Sequence, residues 1–328
     1  MTLLPEEHWP VAVDSTAIAE QLDLDLALGA ARTAAVVHAS GDAISRRAIL
    51  PFEGGWLRLM ACVVPSLGVF GYKEFHLAAN NTVRYSVHVF NVEDGRPVGV
   101  VDGALLTTLR TAATAALAVE QMVGGAAAVR LGIIGTGAEA LAGLKALADV
   151  LAVTDVRVTS RREVNRDRFV AAVREDLDLS VTSVGSAAEA AVDSDVVYLA
   201  TNSNGQIVAR PEDLQGVRYV ASIGSTLPTQ RELDGRILAG ASEVIVDTRD
   251  ALKESGDMLE ALEHGLDPAR VRLLGDMGQE CPDGGQRVYK SIGSPEQDLV
   301  LAHDVLRAAI VRGFGRHFEP VAHVKQNL

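Results

Sequence analysis

The sequence predicts an α/β protein in which a doubly wound parallel sheet is inserted in an antiparallel α+β domain. Three observations carry this prediction. A glycine-rich turn between an apolar strand and a helix begins about 130 residues into the chain. Strand and helix patterns alternate after that turn, which is typical of a parallel sheet with helices on both faces. The first 115 residues instead contain strand-like runs joined by short turns.

Composition narrows the class of protein. A chain of 328 residues with 48% hydrophobic content can bury the cores of two domains. The net charge of −13, with no basic stripe, argues against nucleic acid as a partner. Cys62 and Cys281 have no metal-ligand spacing and the histidines are scattered, so neither a disulfide framework nor a metal site is expected.

The most apolar region, residues 104–135, is interrupted by charged side chains, and the N-terminus lacks a signal-peptide pattern. We therefore expect no membrane association and a cytoplasmic protein.

The first domain begins with two helical stretches over about residues 14–39 and continues with strands. A turn at residues 93–96 predicts that the last two strands form a hairpin. A helical pattern returns over residues 300–328 and is expected to fold back onto this first domain. The strand-like runs are 56–64, 68–75, 86–90 and 97–102.

The glycine-rich turn has the form G-x-G-x-x-A, with Gly135, Gly137 and Ala140 at the defining positions. The first glycine permits the tight turn, the second admits a pyrophosphate to the backbone, and the small third residue lets the helix approach the strand. This pattern predicts a Rossmann dinucleotide-binding domain. Its strand-like runs are 130–135, 155–159, 195–201, 218–224 and 243–248, and its helical segments include 138–150, 166–177 and 187–191.

Ligands of such sheets bind at the carboxyl ends of the strands. The rim predicted there includes Thr136, Ser160, Thr201 and Thr226, and of these Thr226 is expected to contact the substrate. Asp247 also ends a strand-like run, and we expect it to cap the next helix.

The tip of the second strand bears on cofactor choice. It reads Ser160-Arg161-Arg162, without the acid that binds the ribose hydroxyls in NAD-dependent proteins. A small polar residue followed by arginines suits a 2′-phosphate, so NADP(H) is favoured over NAD(H). The alternative is a pair of solvent-exposed arginines that begin a helix.

Cations in this acidic protein are the candidate substrate ligands. Arg110 stands among small residues near the start of an alanine-rich helix, where its guanidinium can bind a carboxylate in a bidentate manner. Lys73 follows an apolar run into a strand, and a partly buried lysine there could donate or accept a proton. On local sequence alone, a surface lysine is the favoured interpretation of Lys73, and only the whole pattern of segments reverses it.

Several segments together resemble the ornithine cyclodeaminase/mu-crystallin family over nearly the whole chain. The most specific are the Leu-Arg-Thr-Ala-Ala run at 109–113 and the Lys-Ser-Ile-Gly run at 290–293. The other matching segments are 71–73, 80–81, 102–103, 131–137, 222–224 ahead of Pro228, 231–233, 246–247, 255–257 and Asp298.

The resemblance implies a homodimer with two domains. Residues 1–115 with 300–328 would form the substrate-binding and dimerisation domain, and residues 116–299 the NAD(P)-binding Rossmann domain. Arg47, or Arg46 as the rival assignment, would bind the substrate carboxylate together with Lys73 and Arg110. Thr136, Gly137 and Ala138 would bind the pyrophosphate, and Ser291 and Gly293 would lie near the nicotinamide.

One residue departs from the pattern of true cyclodeaminases. Thr226 stands where they carry an aspartate in the loop before Pro228, and a threonine hydroxyl cannot replace that carboxylate as a proton acceptor. The chain is therefore more similar to the ketimine reductases and amino-acid dehydrogenases of the family. We expect an NAD(P)H-dependent oxidoreductase that acts on the C–N bond of a small α-imino or α-amino acid. The alternatives are a cyclodeaminase that recycles bound NAD⁺ and a non-catalytic protein that holds NADPH or another small ligand.

Overall fold

The computed structural model describes residues 9–124, 128–276 and 284–320. The chain divides into two compact units, one formed by Met1–Arg110 with Pro295–Leu328 and the other by Thr111–Ser294. Helix α3 (Gly103–Val123) contains the first boundary between them.

The first unit is built on a mixed, mostly antiparallel sheet. Its order is β15-β1-β6-β5-β4-β3-β2, and the pair β1–β6 is parallel. The described strands are β1 (Val11–Val13), β2 (Ile44–Phe52), β3 (Gly55–Val64), β4 (Val69–Leu77), β5 (Val83–Asn91), β6 (Pro97–Asp102) and β15 (Arg316–His317).

Three helices accompany this sheet: α1 (Ser15–Gln21), α2 (Leu24–Ala39) and α10 (Pro295–Arg312). Asp14 and Asp23 begin the first two, because their carboxylates accept hydrogen bonds from the amides of Ala17 and Leu26. Helix α10 packs against α2 and one face of the sheet. It can lie close to the strands because Gly99 in β6 has no side chain. A Cβ atom at that position would lie only 2.5 Å from Cδ2 of Leu306 in α10.

The sequence-based expectations for this unit are largely confirmed. Strands β3 to β6 and the hairpin between β5 and β6 form as expected. The segment that returns to the first unit differs, because α10 begins at Pro295 and ends at Arg312 rather than continuing towards residue 328. Gly313 and Gly315 follow with φ angles of 73° and 85°, in the left-handed region that ends a helix.

The second unit contains an eight-stranded parallel sheet with the order β13-β12-β14-β11-β10-β7-β8-β9. The described strands are β7 (Ala128–Ile134), β8 (Ala152–Thr159), β9 (Val181–Ser183), β10 (Val196–Leu199), β11 (Tyr219–Ser222), β12 (Glu243–Val246), β13 (Val271–Leu273) and β14 (Arg287–Lys290). The described helices are α4 (Ala138–Val150), α5 (Glu163–Asp176), α6 (Ala187–Ala191), α7 (Gly235–Gly240), α8 (Ala251–Glu254) and α9 (Gly256–Glu263).

Strand order in this sheet reverses beside β7. The chain proceeds from β7 through α4 to β8 on one side, whereas β10 lies on the other side of β7. Such a switch point is where open α/β sheets bind their ligands, at the carboxyl ends of the strands. The predicted fold class, a doubly wound parallel sheet with an antiparallel α+β unit, is confirmed, with the one difference that β1 and β6 pair in parallel. Within the described ranges, no helix combines the length and apolar character needed to cross a membrane.

Candidate active site

Lys73 lies in the middle of β4 with 2% of its surface exposed. It pairs with Met60 in β3, which pairs in turn with Arg47 in β2. Because residues paired across antiparallel strands point to the same side of a sheet, Arg47 shares the face of Lys73. Arg46 points to the opposite face, where its row contains Ala61 and Tyr72. This register favours Arg47 over Arg46 as a neighbour of Lys73.

A buried carboxylate joins two of the sequence-predicted cations. One oxygen of Asp298, Oδ1, lies 3.0 Å from Nζ of Lys73 and 3.2 Å from Nε of Arg110. Nη1 of Arg110 donates a 3.1 Å hydrogen bond to Oε1 of Gln297. The structure thus brings together β4, α3 and the first turn of α10, which are distant in the sequence.

The other oxygen of Asp298, Oδ2, is buried and has no hydrogen-bond donor among the described residues. Asp298 itself is 1% exposed. A buried carboxylate oxygen without a donor is costly, because water no longer solvates it. This oxygen can therefore accept a hydrogen bond from a ligand.

The surroundings of Lys73 change its acidity. Burial is the largest cause that lowers its pKa, and the charges of Arg110 and Arg58 also lower it, whereas Asp298 raises it; the resulting pKa is about 8. A lysine with a pKa near neutral pH can exist in both protonation states under physiological conditions. It can therefore donate a proton in one direction of a reaction and accept it in the other.

Arg58, Gln297 and Asp298 were not identified as site residues from the sequence. Arg58 is 8% exposed, and its guanidinium carbon lies 5.2 Å from the ring centre of Phe75. Nζ of Lys73 lies 4.9 Å from the centre of the same ring. The one sequence signal for Arg58 was its position in a strand-like run. Which face of the sheet its side chain occupies follows only from the register between strands. Asp298 was noted only as part of the family resemblance.

The glycine-rich turn of the second unit has the geometry that a dinucleotide requires. Gly135 has a φ of 125°, and a side chain there would come within 2.1 Å of the carbonyl oxygen of Ala200. Gly137 begins α4 without a side-chain cap, and the space where its Cβ would lie is open to at least 4 Å. The amides at the start of α4, including that of Ala138, are therefore suited to a pyrophosphate.

The tip of the second strand lies beside this turn. Oγ1 of Thr136 donates to Oγ of Ser160 at 2.9 Å, and Nη1 of Arg166 donates to the carbonyl oxygen of Ser160 at 2.7 Å. Arg161 and Arg162 are exposed before α5. Two of the predicted cofactor residues, Thr136 and Ser160, are thus in contact.

Glu232 organises the ends of β10 and β11. It is fully buried, and its Oε1 accepts hydrogen bonds from both the amide and Oγ1 of Thr201, each at 2.7 Å. Its Oε2 accepts from Oγ of Ser222 at 2.7 Å and from the amide of Gly224 at 2.9 Å. This one carboxylate therefore fixes two of the predicted rim loops.

Asp247 holds the loop that contains Ser291 and Gly293. Its carboxylate accepts from Oγ of Ser291 at 2.6 Å and from the amide of Gly293 at 2.8 Å. The expectation that Asp247 caps the next helix is wrong, because Asp250 occupies that position. The sequence showed that Asp247 follows a strand, but it did not show that this strand, β12, pairs with β14, which leads into the loop of Ser291 and Gly293.

Two further residues of the predicted motifs, Lys290 and Thr226, contact side chains of the second unit. Lys290 is fully buried, with its Nζ 3.1 Å from Asp257 and 3.0 Å from Oγ of Ser222. Thr226 is half-buried, and its amide donates to Oε1 of Gln230 at 3.0 Å. Cys62 is buried in β3, and Cys281 lies outside the described residues.

Comparison with known proteins places these features in a family. Residues 14–309 match the ornithine cyclodeaminase/mu-crystallin family. A Δ1-pyrroline-2-carboxylate reductase of Bacillus cereus is 26% identical over 83% of this chain and 88% of its own length. The NAD(P)H-dependent anabolic L-arginine dehydrogenase of Pseudomonas aeruginosa is 33% identical over 67% and 70%. Among solved structures, an archaeal alanine dehydrogenase dimer with bound NAD is 25% identical, with a TM-score of 0.85 over 94% of this chain and 98% of that chain.

Proposed function

Because the chain belongs to the ornithine cyclodeaminase/mu-crystallin family, we propose that it is an NAD(P)H-dependent oxidoreductase acting on the C–N bond of a small α-imino or α-amino acid. The observation that carries the proposal is the buried cluster in the first unit, in which Asp298 contacts both Lys73 and Arg110. The similar proteins named above include a reductase and two dehydrogenases, which supports redox chemistry.

The arginines and Lys73 have different roles in this proposal. The guanidinium of Arg110, oriented by Asp298 and Gln297, binds the substrate carboxylate, with Arg47 as a second cation on the same side. Lys73 donates a proton to the nitrogen during reduction and removes it during oxidation. The nicotinamide, when bound, supplies or accepts the hydride at the α-carbon.

Asp298 is a positioning residue in this scheme. Its Oδ1 holds the ammonium of Lys73 and the guanidinium of Arg110 at a fixed separation, and its charge favours the protonated lysine. Its Oδ2 is available to accept a hydrogen bond from the substrate nitrogen. Preorganised groups of this kind stabilise charge that develops in the transition state without reorganising.

The proposed cofactor is NADP(H) in preference to NAD(H). Gly135, Thr136, Gly137 and Ala138 would hold the pyrophosphate, and Thr201, Ser291 and Gly293 would line the remainder of the cofactor site. Support for the phosphate-bearing cofactor is the tip formed by Ser160, Arg161 and Arg162, where the hydroxyls of Thr136 and Ser160 meet. Arginines bind phosphate through charge-assisted hydrogen bonds.

The first unit would also form the dimer. The sheet face opposite Lys73 carries stacked aromatic pairs, Phe70 with Phe90 at 5.2 Å and Tyr72 with His88 at 4.8 Å. Leu50 and Phe52 on the same face are 53% and 52% exposed. Exposed apolar side chains on one sheet face are typical of an interaction site, and a second copy of this chain is the partner we propose.

A substrate screen tests the proposed function. Absorbance of the reduced nicotinamide is followed with 2-oxo acids plus amines, with cyclic imines, and in reverse with amino acids and the oxidised cofactor. We expect net oxidation or reduction of cofactor with at least one α-imino or α-amino acid. Ammonia release without net cofactor change would instead indicate a cyclodeaminase, and binding of NADPH without turnover of any compound would indicate a non-catalytic protein.

A further inference from the structure

We propose that Arg58 recognises a second carboxylate, so that the substrate is an imino or amino acid whose side chain is itself acidic. This inference rests on the proposed function and goes further, because it names the substrate class. Neither the family resemblance nor the sequence patterns pointed to Arg58.

Strand register places Arg58 on the face that carries Lys73. Arg58 pairs with Phe75, which pairs with Tyr85, and Lys73 lies two residues before Phe75 on β4. Residues two apart on a strand share a face and are about 7 Å apart along it. Arg58 therefore lies one strand across and one step along from Lys73, on the same side of the sheet.

Aromatic rings orient this guanidinium. Its carbon lies 5.2 Å from the ring centre of Phe75 and 5.9 Å from that of Trp56, which is within the range of cation–π contacts. The ring of Phe75 also lies 4.9 Å from Nζ of Lys73. Arg58 and Lys73 are thus held beside a common aromatic ring, so a single small ligand can meet both cations.

Electrostatics indicate which ligand suits this arrangement. Arg58, Lys73 and Arg110 are each at most 8% exposed, and both arginines lower the pKa of Lys73 through charge repulsion. The guanidinium of Arg58, beside the same ring as Lys73, can form charge-assisted hydrogen bonds with a carboxylate. Arg110 and Arg47 are already assigned to the carboxylate that every α-amino acid carries. The charge of Arg58 then favours a second anion.

Side chains of other kinds fit this position poorly. An apolar side chain offers the guanidinium no hydrogen-bond acceptor, and a basic side chain would be repelled. A site built to bind a polar group rejects analogues that lack it far more strongly than an apolar pocket rejects a larger or smaller analogue. We therefore expect a marked preference for acidic side chains over neutral and basic ones.

The test compares two ligands of the same carbon count. Oxaloacetate has four carbons and two carboxylates, and 2-oxobutyrate has four carbons and one. Each is supplied with an ammonium salt, whose ammonia condenses with the keto group to an imine and water. The imine, the reduced cofactor and a proton then give the amino acid and the oxidised cofactor. We expect kcat/KM for oxaloacetate to exceed that for 2-oxobutyrate by about a hundredfold.

Variants assign the preference to Arg58. Arg58→Met should lower kcat/KM for oxaloacetate by about a hundredfold and leave 2-oxobutyrate within about threefold. Arg58→Lys should restore part of the difference, which shows that charge matters and guards against a folding defect in the Met variant. Arg96→Met, in the exposed turn between β5 and β6, is the matched control and should leave both substrates unchanged. Equal losses with both substrates, or a wild-type protein that uses 2-oxobutyrate as well as oxaloacetate, would overturn the inference.

A binding measurement separates this inference from the proposed function. Titration calorimetry with succinate and with butyrate needs no turnover. We expect succinate to bind more tightly and Arg58→Met to abolish the difference. If no imine is reduced but this binding pattern holds, the proposed function fails and the ligand class stands. Succinate that binds no better than butyrate would contradict the ligand class whatever the outcome of the screen.

Discussion

Lys73 illustrates how burial changes the acidity of a side chain. In the sequence it could be an exposed lysine or a site residue, because a strand offers both faces to any residue within it. The structure buries Lys73 beside Asp298 and two arginines, and its pKa falls to about 8. These surroundings follow from strand pairing and from α10, neither of which is visible within the Gly-Tyr-Lys segment.

The shifted pKa of Lys73 predicts opposite pH dependences for the two directions. Reduction needs the protonated amine, so its kcat/KM should fall as the pH rises through about 8. Oxidation needs the neutral amine, so its kcat/KM should rise through the same pH. Initial rates from pH 6 to 10 in both directions check this. Profiles that bend in the same direction would contradict the role of Lys73 as proton donor and acceptor.

Asp298→Asn isolates the charge that raises the pKa of Lys73. The amide keeps a similar shape but no longer stabilises the ammonium, so the fall in the reductive rate should move to lower pH. Removing one partner from a buried ion pair should also lower the free energy of unfolding by about 3–5 kcal/mol. Rate profiles and denaturant unfolding measure the two effects. An unchanged pH profile in a folded variant would show that Asp298 does not act through Lys73.

At the scale of elements, periodicity predicted the strongly patterned segments and missed the others. The alternation from β7 onward and the glycine-rich turn were readable because apolar strands and amphipathic helices repeat regularly. Strand β2 was missed because its side chains are mostly exposed, and β1 and β15 are three and two residues long, too short to show a period. The facing of Arg58 and Arg47 depends on pairing between strands, which local patterns do not contain.

The turn between β8 and α5 carries the prediction on cofactor choice. Losing charge-assisted contacts to a phosphate should cost about 1.5–3 kcal/mol per contact. Arg161→Ala combined with Arg162→Ala should therefore weaken binding of NADPH much more than that of NADH. Fluorescence titration with both cofactors measures the difference, with Arg168→Ala, an exposed arginine further along α5, as the control. Equal losses for both cofactors, or a wild-type preference for NADH, would refute the assignment.

At the scale of the whole molecule, the class of reaction is the open prediction, and Thr226 is the residue on which it rests. Thr226 supplies a hydroxyl hydrogen-bonded to Gln230 where true cyclodeaminases are expected to carry a carboxylate. Incubation of this protein with ornithine and NAD⁺ should therefore yield neither proline nor ammonia. Formation of proline at a rate comparable to cofactor turnover would show that Thr226 does not decide the chemistry.

The most direct test of the account is the steady-state kinetics of Lys73→Met on any accepted substrate. The variant keeps a side chain of similar length but cannot exchange a proton, so kcat should fall about a hundredfold or more while cofactor binding is retained. Arg110→Ala, as the comparison, should act mainly by raising KM. The substrate carboxylate that Arg110 binds is present in both the ground and transition states. Turnover by Lys73→Met within about twofold of the wild type, the range expected of a surface substitution, would contradict the central claim that this buried lysine is catalytic.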